Sequence, residues 1–98
     1  MQMYIQWNQA KRRKNLREHR IDLAGLGNFF LGELRTHEDT RYGYAERRFQ
    51  SVGMLKGTLL FVVWTPLDTE ALVIHVISAR KANRNETQDW FTYYAQRH

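Results

Sequence analysis

Thr58-Leu59-Leu60-Phe61-Val62-Val63-Trp64-Thr65 is the stretch that decides the fold. Eight β-branched, aromatic or aliphatic residues in a row, bounded by Lys56-Gly57 and Pro66, carry no helical period and are too short for a buried helix. The pattern predicts a central strand covered on both faces. Working backwards, Lys56-Gly57 is a tight hairpin signal. It joins that strand to Arg48–Leu55, whose alternation sets Phe49, Ser51, Gly53 and Leu55 on one side. Working forwards, Pro66 to Glu70 is a turn, and residues 71–80 return as another strand.

The outer parts are read the same way. Met3 to Gln6 alternates as a short edge strand. Asn8 is an N-cap residue with Trp7 before it as a staple, and Gln9 to Arg20 runs without glycine or proline as a helix. Asp22 caps a second helix reaching about Leu31, weakened by Gly25, Gly27 and Gly32. Leu34 to Asp39 is a short polar strand, Tyr42-Gly43-Tyr44 a turn, and Asn83 caps a last helix reaching about Ala95. The expected architecture is α+β: an antiparallel sheet flanked by two N-terminal helices and one C-terminal helix, in a single domain over residues 1–98.

Composition limits the function. The 98 residues carry a formal charge of +5, with arginine outnumbering lysine eleven to four. Six of the ten residues from Lys11 to Arg20 are basic: Lys11, Arg12, Arg13, Lys14, Arg17 and Arg20. Such a surface attracts a polyanion or an acidic partner, and guanidinium forks match phosphate geometry. The chain has no cysteine, which excludes disulfides and thiolate chemistry. The longest apolar run falls far short of the ~20 residues that span a bilayer, and Met1-Gln2-Met3-Tyr4-Ile5 has no signal pattern. A cytoplasmic protein with no membrane association is expected. No Gly-rich phosphate loop, no HExxH and no zinc spacing occurs. His37-Glu38-Asp39 reads as a polar loop rather than a metal cluster, so neither metal nor cofactor is expected.

Several residues stand out as carriers of chemistry. Lys11, Asn15 and His19 follow at spacings of four along one helical stripe, either a solvated charged face or a phosphate surface ending in an imidazole. Arg12 and Leu16 begin a neighbouring stripe. In the last strand, alternation places Leu72, Ile74, Val76, Ser78 and Arg80 on one face, so Arg80 closes an apolar strand at a sheet rim, meeting either an anion or Glu46 or Glu86. His75, between apolar neighbours, reads as a core or sheet-face histidine. Glu46, Arg47 and Arg48 form either an ion pair or a base among cations. Trp90, Phe91, Tyr93 and Tyr94 read as packing, with Tyr94 able to stack a base.

Taken together, these segments resemble the BrnT family. The opening motif is Trp7-Asn8-Gln9-Ala10-Lys11 with Asn15-Leu16 and His19-Arg20-Ile21-Asp22. The second is Glu38-Asp39-x-Arg41, then Tyr44-x-Glu46-x-Arg48-Phe49 and Gly53. The third is Ile77-Ser78-Ala79-Arg80-Lys81-Ala82, followed by Glu86 and the aromatic helix. The chain departs from the family's pattern at Asn8, Glu18, Arg20, Leu23 and His75. The resemblance implies a toxin of a type II toxin–antitoxin pair with a RelE-like fold. It also implies RNA cleavage, neutralisation by a BrnA-like antitoxin carrying a DNA-binding domain, and repression of its own operon, with operator DNA reached through the antitoxin.

On that basis His19, Glu46 and Arg80 are the expected catalytic residues, and Lys11, Arg12, Arg48, Lys81 and Tyr94 the expected RNA-binding ones. Metal-free cleavage needs a group to take the 2′-hydroxyl proton, assigned to His19 or Glu46, and cations for the charge developing on phosphorus, assigned to Arg80 with Arg48 and Lys11. The reading requires Lys11, Arg48 and Arg80 to converge on one groove. The alternative is a catalytically inactive nucleic-acid- or antitoxin-binding module acting in operon autoregulation.

Overall fold

A computed structural model describes residues 2–70 and 72–97. In chain order the elements are β1 (Tyr4–Trp7), α1 (Gln9–His19), a 3₁₀ turn (Leu23–Gly25), α2 (Gly27–Leu31), β2 (Leu34–Asp39), β3 (Arg48–Leu55), β4 (Thr58–Pro66), β5 (Val73–Lys81) and α3 (Arg84–Arg97). The five strands form one sheet in the order β1-β5-β4-β3-β2, so the apolar run that began the sequence reading lies at its centre. No helix among the described residues is long and apolar enough to cross a membrane.

The α+β class stands, with three differences of detail. The sheet is mixed: β2, β3, β4 and β5 pair antiparallel, but β1 runs parallel to β5, Tyr4 opposite Val73 and Trp7 opposite Val76. A parallel pair cannot be closed by a hairpin, and here α1 and everything after it intervene. The helix expected from Asp22 to Leu31 is split. Asp22 does cap, its carboxylate accepting from the Ala24 N–H at 2.9 Å, but it caps only a 3₁₀ turn, and α2 restarts at Gly27. Third, β4 is covered more tightly on one face than on the other, where Thr65 alone is buried. Leu60, Val62 and Trp64 are buried, while Phe61 and Val63 opposite them are half-buried.

The covered face holds the core. Leu23, Leu26 and Phe29, fully buried, close over Leu60, Val62, Trp64, Ile74, Val76 and Ala79. Phe29 reaches the sheet at Gly53. A Cβ there would lie 2.6 Å from Leu34 Cδ2, 3.0 Å from the Glu33 carbonyl oxygen and 3.2 Å from Phe29 Cε2. Any side chain at position 53 would therefore push α2 off the sheet. The Lys56-Gly57 hairpin has φ of 50° and 80°, the two positive values that a type I′ turn requires.

One irregularity in β5 matters for everything that follows. Val63 is opposite Ser78, but the next residue, Trp64, is opposite Val76, so Ile77 is an extra residue in the strand. A bulge of this kind shifts the side-chain parity by one. Ile74 and Val76 before it and Ala79 after it are all buried in the core, whereas Ser78 and Arg80 face away from it. The uninterrupted alternation expected from Leu72 to Arg80 is thus corrected: Arg80 lies opposite the core, not on the face of Ile74 and Val76. His75 is half-buried on the strand, as its neighbours suggested.

Helix α1 is held by three polar devices. At its start the Asn8 side chain accepts from the Lys11 N–H at 3.1 Å. In its middle Asn15 is buried. Its amide nitrogen donates to the carbonyls of Ala79 at 2.9 Å and Ile21 at 2.8 Å, and its oxygen accepts from the Ala79 N–H at 3.1 Å. At its end Arg20 caps the helix with φ 59° and ψ 30°, the left-handed conformation that glycine adopts without strain. A bidentate pair between Arg12 and Asp22, 2.7 and 3.0 Å, ties the helix to the 3₁₀ turn. Those hydrogen bonds, outweighing burial, hold the Asp22 carboxyl below the usual range.

Three outcomes follow for chemical denaturation. Asn15→Ala strips partners from buried backbone groups of Ala79 and should lower stability by about 2–4 kcal/mol. Arg20→Gly removes the strained cap and should raise stability by about 1 kcal/mol, with the melting temperature up ~4–8 °C. Asp22, with its folded pKa depressed, stabilises fully above the unfolded value of about 4 and loses that contribution as pH falls below it. Asp22→Asn should therefore be less stable than wild type at pH 7, and the gap should close as pH is lowered through 4 to 3.

Candidate active groove

The face of the sheet away from the core is partly covered by α3, whose Trp90 is buried. Asn83 and Glu86 fix the start of that helix reciprocally. The Glu86 N–H donates to Asn83 Oδ1 at 2.8 Å and the Asn83 N–H donates to Glu86 Oε1 at 2.9 Å, a capping box. Asp89 anchors Arg35 of β2 at 2.6 Å. Between α3 and the segment joining β2 to β3 the sheet stays open, leaving a groove of about 350 Å³ floored by Gln50, Phe61, Val63 and Ser78.

Three arginines from three segments line this groove: Arg41, Arg48 and Arg80. Each is oriented twice over. Arg80 donates both terminal nitrogens to Glu86, 2.8 and 2.9 Å, and lies over the Phe61 ring at 4.1 Å. Of the two carboxylates that the sequence offered Arg80, Glu86 is its partner. Arg48 donates to Glu46 at 2.9 Å and lies 4.2 Å over the Tyr44 ring. Arg41 grips Asp39 with two nitrogens at 3.0 and 3.1 Å. Tyr44 completes the cluster, its hydroxyl donating to Asp39 at 3.2 Å.

The electrostatics assign protonation states. The Arg41 side chain, its backbone N–H and the Tyr44 hydroxyl hold the Asp39 carboxyl far below the usual range, overcoming burial that acts the other way. The carboxylate in turn raises Arg41. Burial, reinforced by the bond to Asp39, raises the Tyr44 phenol. Burial pushes Glu86 upward, but hydrogen bonds from Arg80 and the Asn83 N–H more than offset it, and the group ends lowered. At neutral pH the groove therefore holds ionised Asp39 and Glu86, charged arginines and a protonated Tyr44 hydroxyl. Neither carboxylate is available as a proton donor.

A second depression, about 250 Å³, adjoins the first. Lys11, Lys14, Asn15, Glu18 and His19 of α1 line one side, and Ile77 and Ser78 of β5 the other. Ile77 and Ser78 also line the arginine groove, so the bulge forms the saddle between the two. Lys11 and His19 thus face a surface continuous with Arg48 and Arg80. Glu46, held to Arg48, stands at the rim in the neighbouring loop depression.

The remaining expected residues lie elsewhere. Arg12 is engaged with Asp22 and lines neither depression. Lys81, one residue after Arg80, faces the opposite side, in a cleft with Arg20, Asp22 and Leu60. Tyr94 stacks on Trp90, ring centres 6.1 Å apart, and lines neither depression. Conversely, Arg41, Asp39, Tyr44 and Gln50 line the groove without having been singled out for chemistry. The one signal for them was that Asp39, Arg41 and Tyr44 stand in the second motif. Asn15, on the predicted phosphate stripe, is a buried structural residue. A depression of about 560 Å³ beside Phe49, Trp64 and Leu67 is mainly apolar, and its carboxylate, Asp68, is engaged by the backbone N–H groups of Leu72 and Val73. Among the described residues no group of three or more His, Asp or Glu is arranged to hold a metal ion.

Comparison with known proteins bears on the family and the fold. Residues 7–86 match a family model described as the ribonuclease toxin, BrnT, of a type II toxin–antitoxin system. No curated protein matches the chain. Among solved structures, the Brucella abortus ribonuclease toxin BrnT is similar, with a TM-score of 0.66 and 26% sequence identity over 84% of this chain and 99% of that one. With a family model covering most of its length and a fold shared with a solved member, the chain belongs to the BrnT family of type II toxin–antitoxin ribonuclease toxins.

Proposed function

We propose that this chain is a metal-independent endoribonuclease whose activity arrests growth through RNA cleavage, and that a BrnA-like antitoxin with a DNA-binding domain neutralises it in the cytoplasm. The observation that carries the reading is the meeting of Arg48 and Arg80 in one groove that runs over Ser78 to His19 and Lys11. Fixed cations aimed at one point are what an in-line attack on phosphorus requires, because negative charge grows there and oriented charges need no reorganisation.

In this reading a phosphodiester lies between the guanidiniums of Arg48 and Arg80. Their carboxylate partners sit in partly exposed ion pairs that leave guanidinium N–H donors over, Arg48 meeting Glu46 through Nε and Arg80 meeting Glu86 through its terminal nitrogens. An RNA phosphate can therefore share or displace them. The ribose 2′-hydroxyl attacks phosphorus and the bond to the 5′-oxygen breaks, leaving a 2′,3′-cyclic phosphate and a 5′-hydroxyl. The 2′-hydroxyl proton goes to His19, across the saddle, or to Glu46, at the rim. A protonated group must supply the leaving oxygen; the Tyr44 hydroxyl, which the groove keeps protonated, joins His19 as a candidate. Lys11 supports the backbone beyond the saddle. The antitoxin, with operator DNA reached through it, covers this basic surface.

The test is cleavage of a long RNA by purified protein in the presence of EDTA. Wild type should cut. Arg80→Ala should lose about 10²–10³-fold, the usual effect of removing one group that stabilises developing charge. Arg80→Lys should recover little, since a single ammonium does not reproduce a fork held by Glu86 and Phe61. Undiminished cleavage by Arg80→Ala would refute the assignment.

A further inference from the structure

Beside the arginine groove lies another depression, of about 270 Å³, with the opposite chemistry. Glu38, Asp39 and Glu46 supply its polar lining together with Arg47, and Tyr42 and Tyr44 its rings. Asp39 and Tyr44 line both depressions and form the partition between them.

Tyr42 is the telling residue. The residue is 64% exposed, although its ring touches two neighbours. It meets Tyr44 edge to face, ring centres 5.6 Å apart at 70°, and the Arg41 guanidinium lies 5.3 Å from its centre. Tyr44 is itself fixed, by its bond to Asp39 and by Arg48 over its ring. A large aromatic surface thus leans on Tyr44 and Arg41 and is presented to solvent at the edge of the arginine groove. The three carboxylates of the depression are each paired with an arginine, Glu38 with Arg47, Asp39 with Arg41 and Glu46 with Arg48, so its own lining cation, Arg47, is already engaged and offers a phosphate little. A nucleobase is uncharged and planar, has a face for the ring, and carries N–H groups that carboxylates accept.

We propose that this depression receives an unpaired nucleobase of single-stranded RNA, stacked on Tyr42, next to the phosphate held by Arg48 and Arg80. The proposal rests on the ribonuclease reading and names its substrate: a strand whose base can swing out of its stack, as a base within a duplex does not.

The experiment measures binding, by fluorescence anisotropy, of a labelled 2′-O-methyl oligoribonucleotide, which lacks the attacking hydroxyl and so is not cut. Tyr42→Ala should bind at least about fivefold more weakly, the lower end of the loss expected for one base–aromatic stack. Tyr42→Phe and Tyr42→Trp should stay close to wild type, and the duplex form should bind more weakly than the single strand and be indifferent to the substitution. Position 42 is exposed, so an unchanged melting temperature should accompany these effects. Wild-type affinity in Tyr42→Ala, or an equal loss in Tyr42→Phe, overturns the proposal. So does a Tyr42→Ala variant that binds RNA normally and loses affinity only for the antitoxin. If wild type binds with this Tyr42 dependence yet never cuts unmodified RNA, the nuclease reading fails and the stacking site stands.

Discussion

The carboxamide of Asn15 takes the place of a strand that the sheet lacks. β1 pairs with β5 only from Val73 to Val76. Beyond that point the edge of β5 would be left with open backbone groups against a helix. Asn15 offers two N–H donors and an acceptor: one donor and the oxygen satisfy the carbonyl and N–H of Ala79 in the geometry of a peptide unit, and the second donor takes the carbonyl of Ile21. A buried backbone group without a partner is costly, so this single side chain determines where α1 can lie. Because α1 docks there, Lys11 and His19 come to rest beside Ser78. The basic helix is thus placed by its one buried polar residue together with the Arg12–Asp22 pair, while its other cations face outward.

The groove arginines are neutralised before any ligand arrives. Arg41, Arg48 and Arg80 each have a carboxylate from their own chain, and Arg48 and Arg80 also lie on an aromatic ring. Long cationic side chains free in solvent would have to be ordered upon binding, at an entropic cost. Here they are already held, and the cations can exchange one oxygen partner for another. The arrangement also keeps the field of a +5 protein from being concentrated in the groove while the carboxylates stay in place.

Much of this was legible in the chain because the signals were local. The Asn8 and Asn83 caps, the Lys56-Gly57 hairpin, the alternation in Arg48–Leu55 and the apolar run of β4 depend on residues a few positions apart. What escaped depended on distant partners. Nothing near Tyr4–Trp7 specifies a parallel neighbour at Val73–Val76. Asn15 looked like part of a polar stripe because its partner, Ala79, lies 64 residues away. Arg12 and Lys81 were grouped with the groove on charge alone, whereas helix and strand direction send them to other surfaces. Tyr42 read as a turn residue because no local pattern shows that its ring leans on Tyr44. The family motifs gathered Asp39, Arg41, Tyr44, Glu46 and Arg48, and the coordinates supply the reason: these residues build one wall.

The extra residue at Ile77 ties the chemistry to the architecture. With regular alternation, Arg80 would share the side of Ile74 and Val76, and its guanidinium would enter oil instead of water. Drawing Ile77 into the ladder, with no residue removed, would bury that charge in the nucleus of the protein and expel Ala79 from it. Inactivation by slippage of this strand is therefore closed to the lineage.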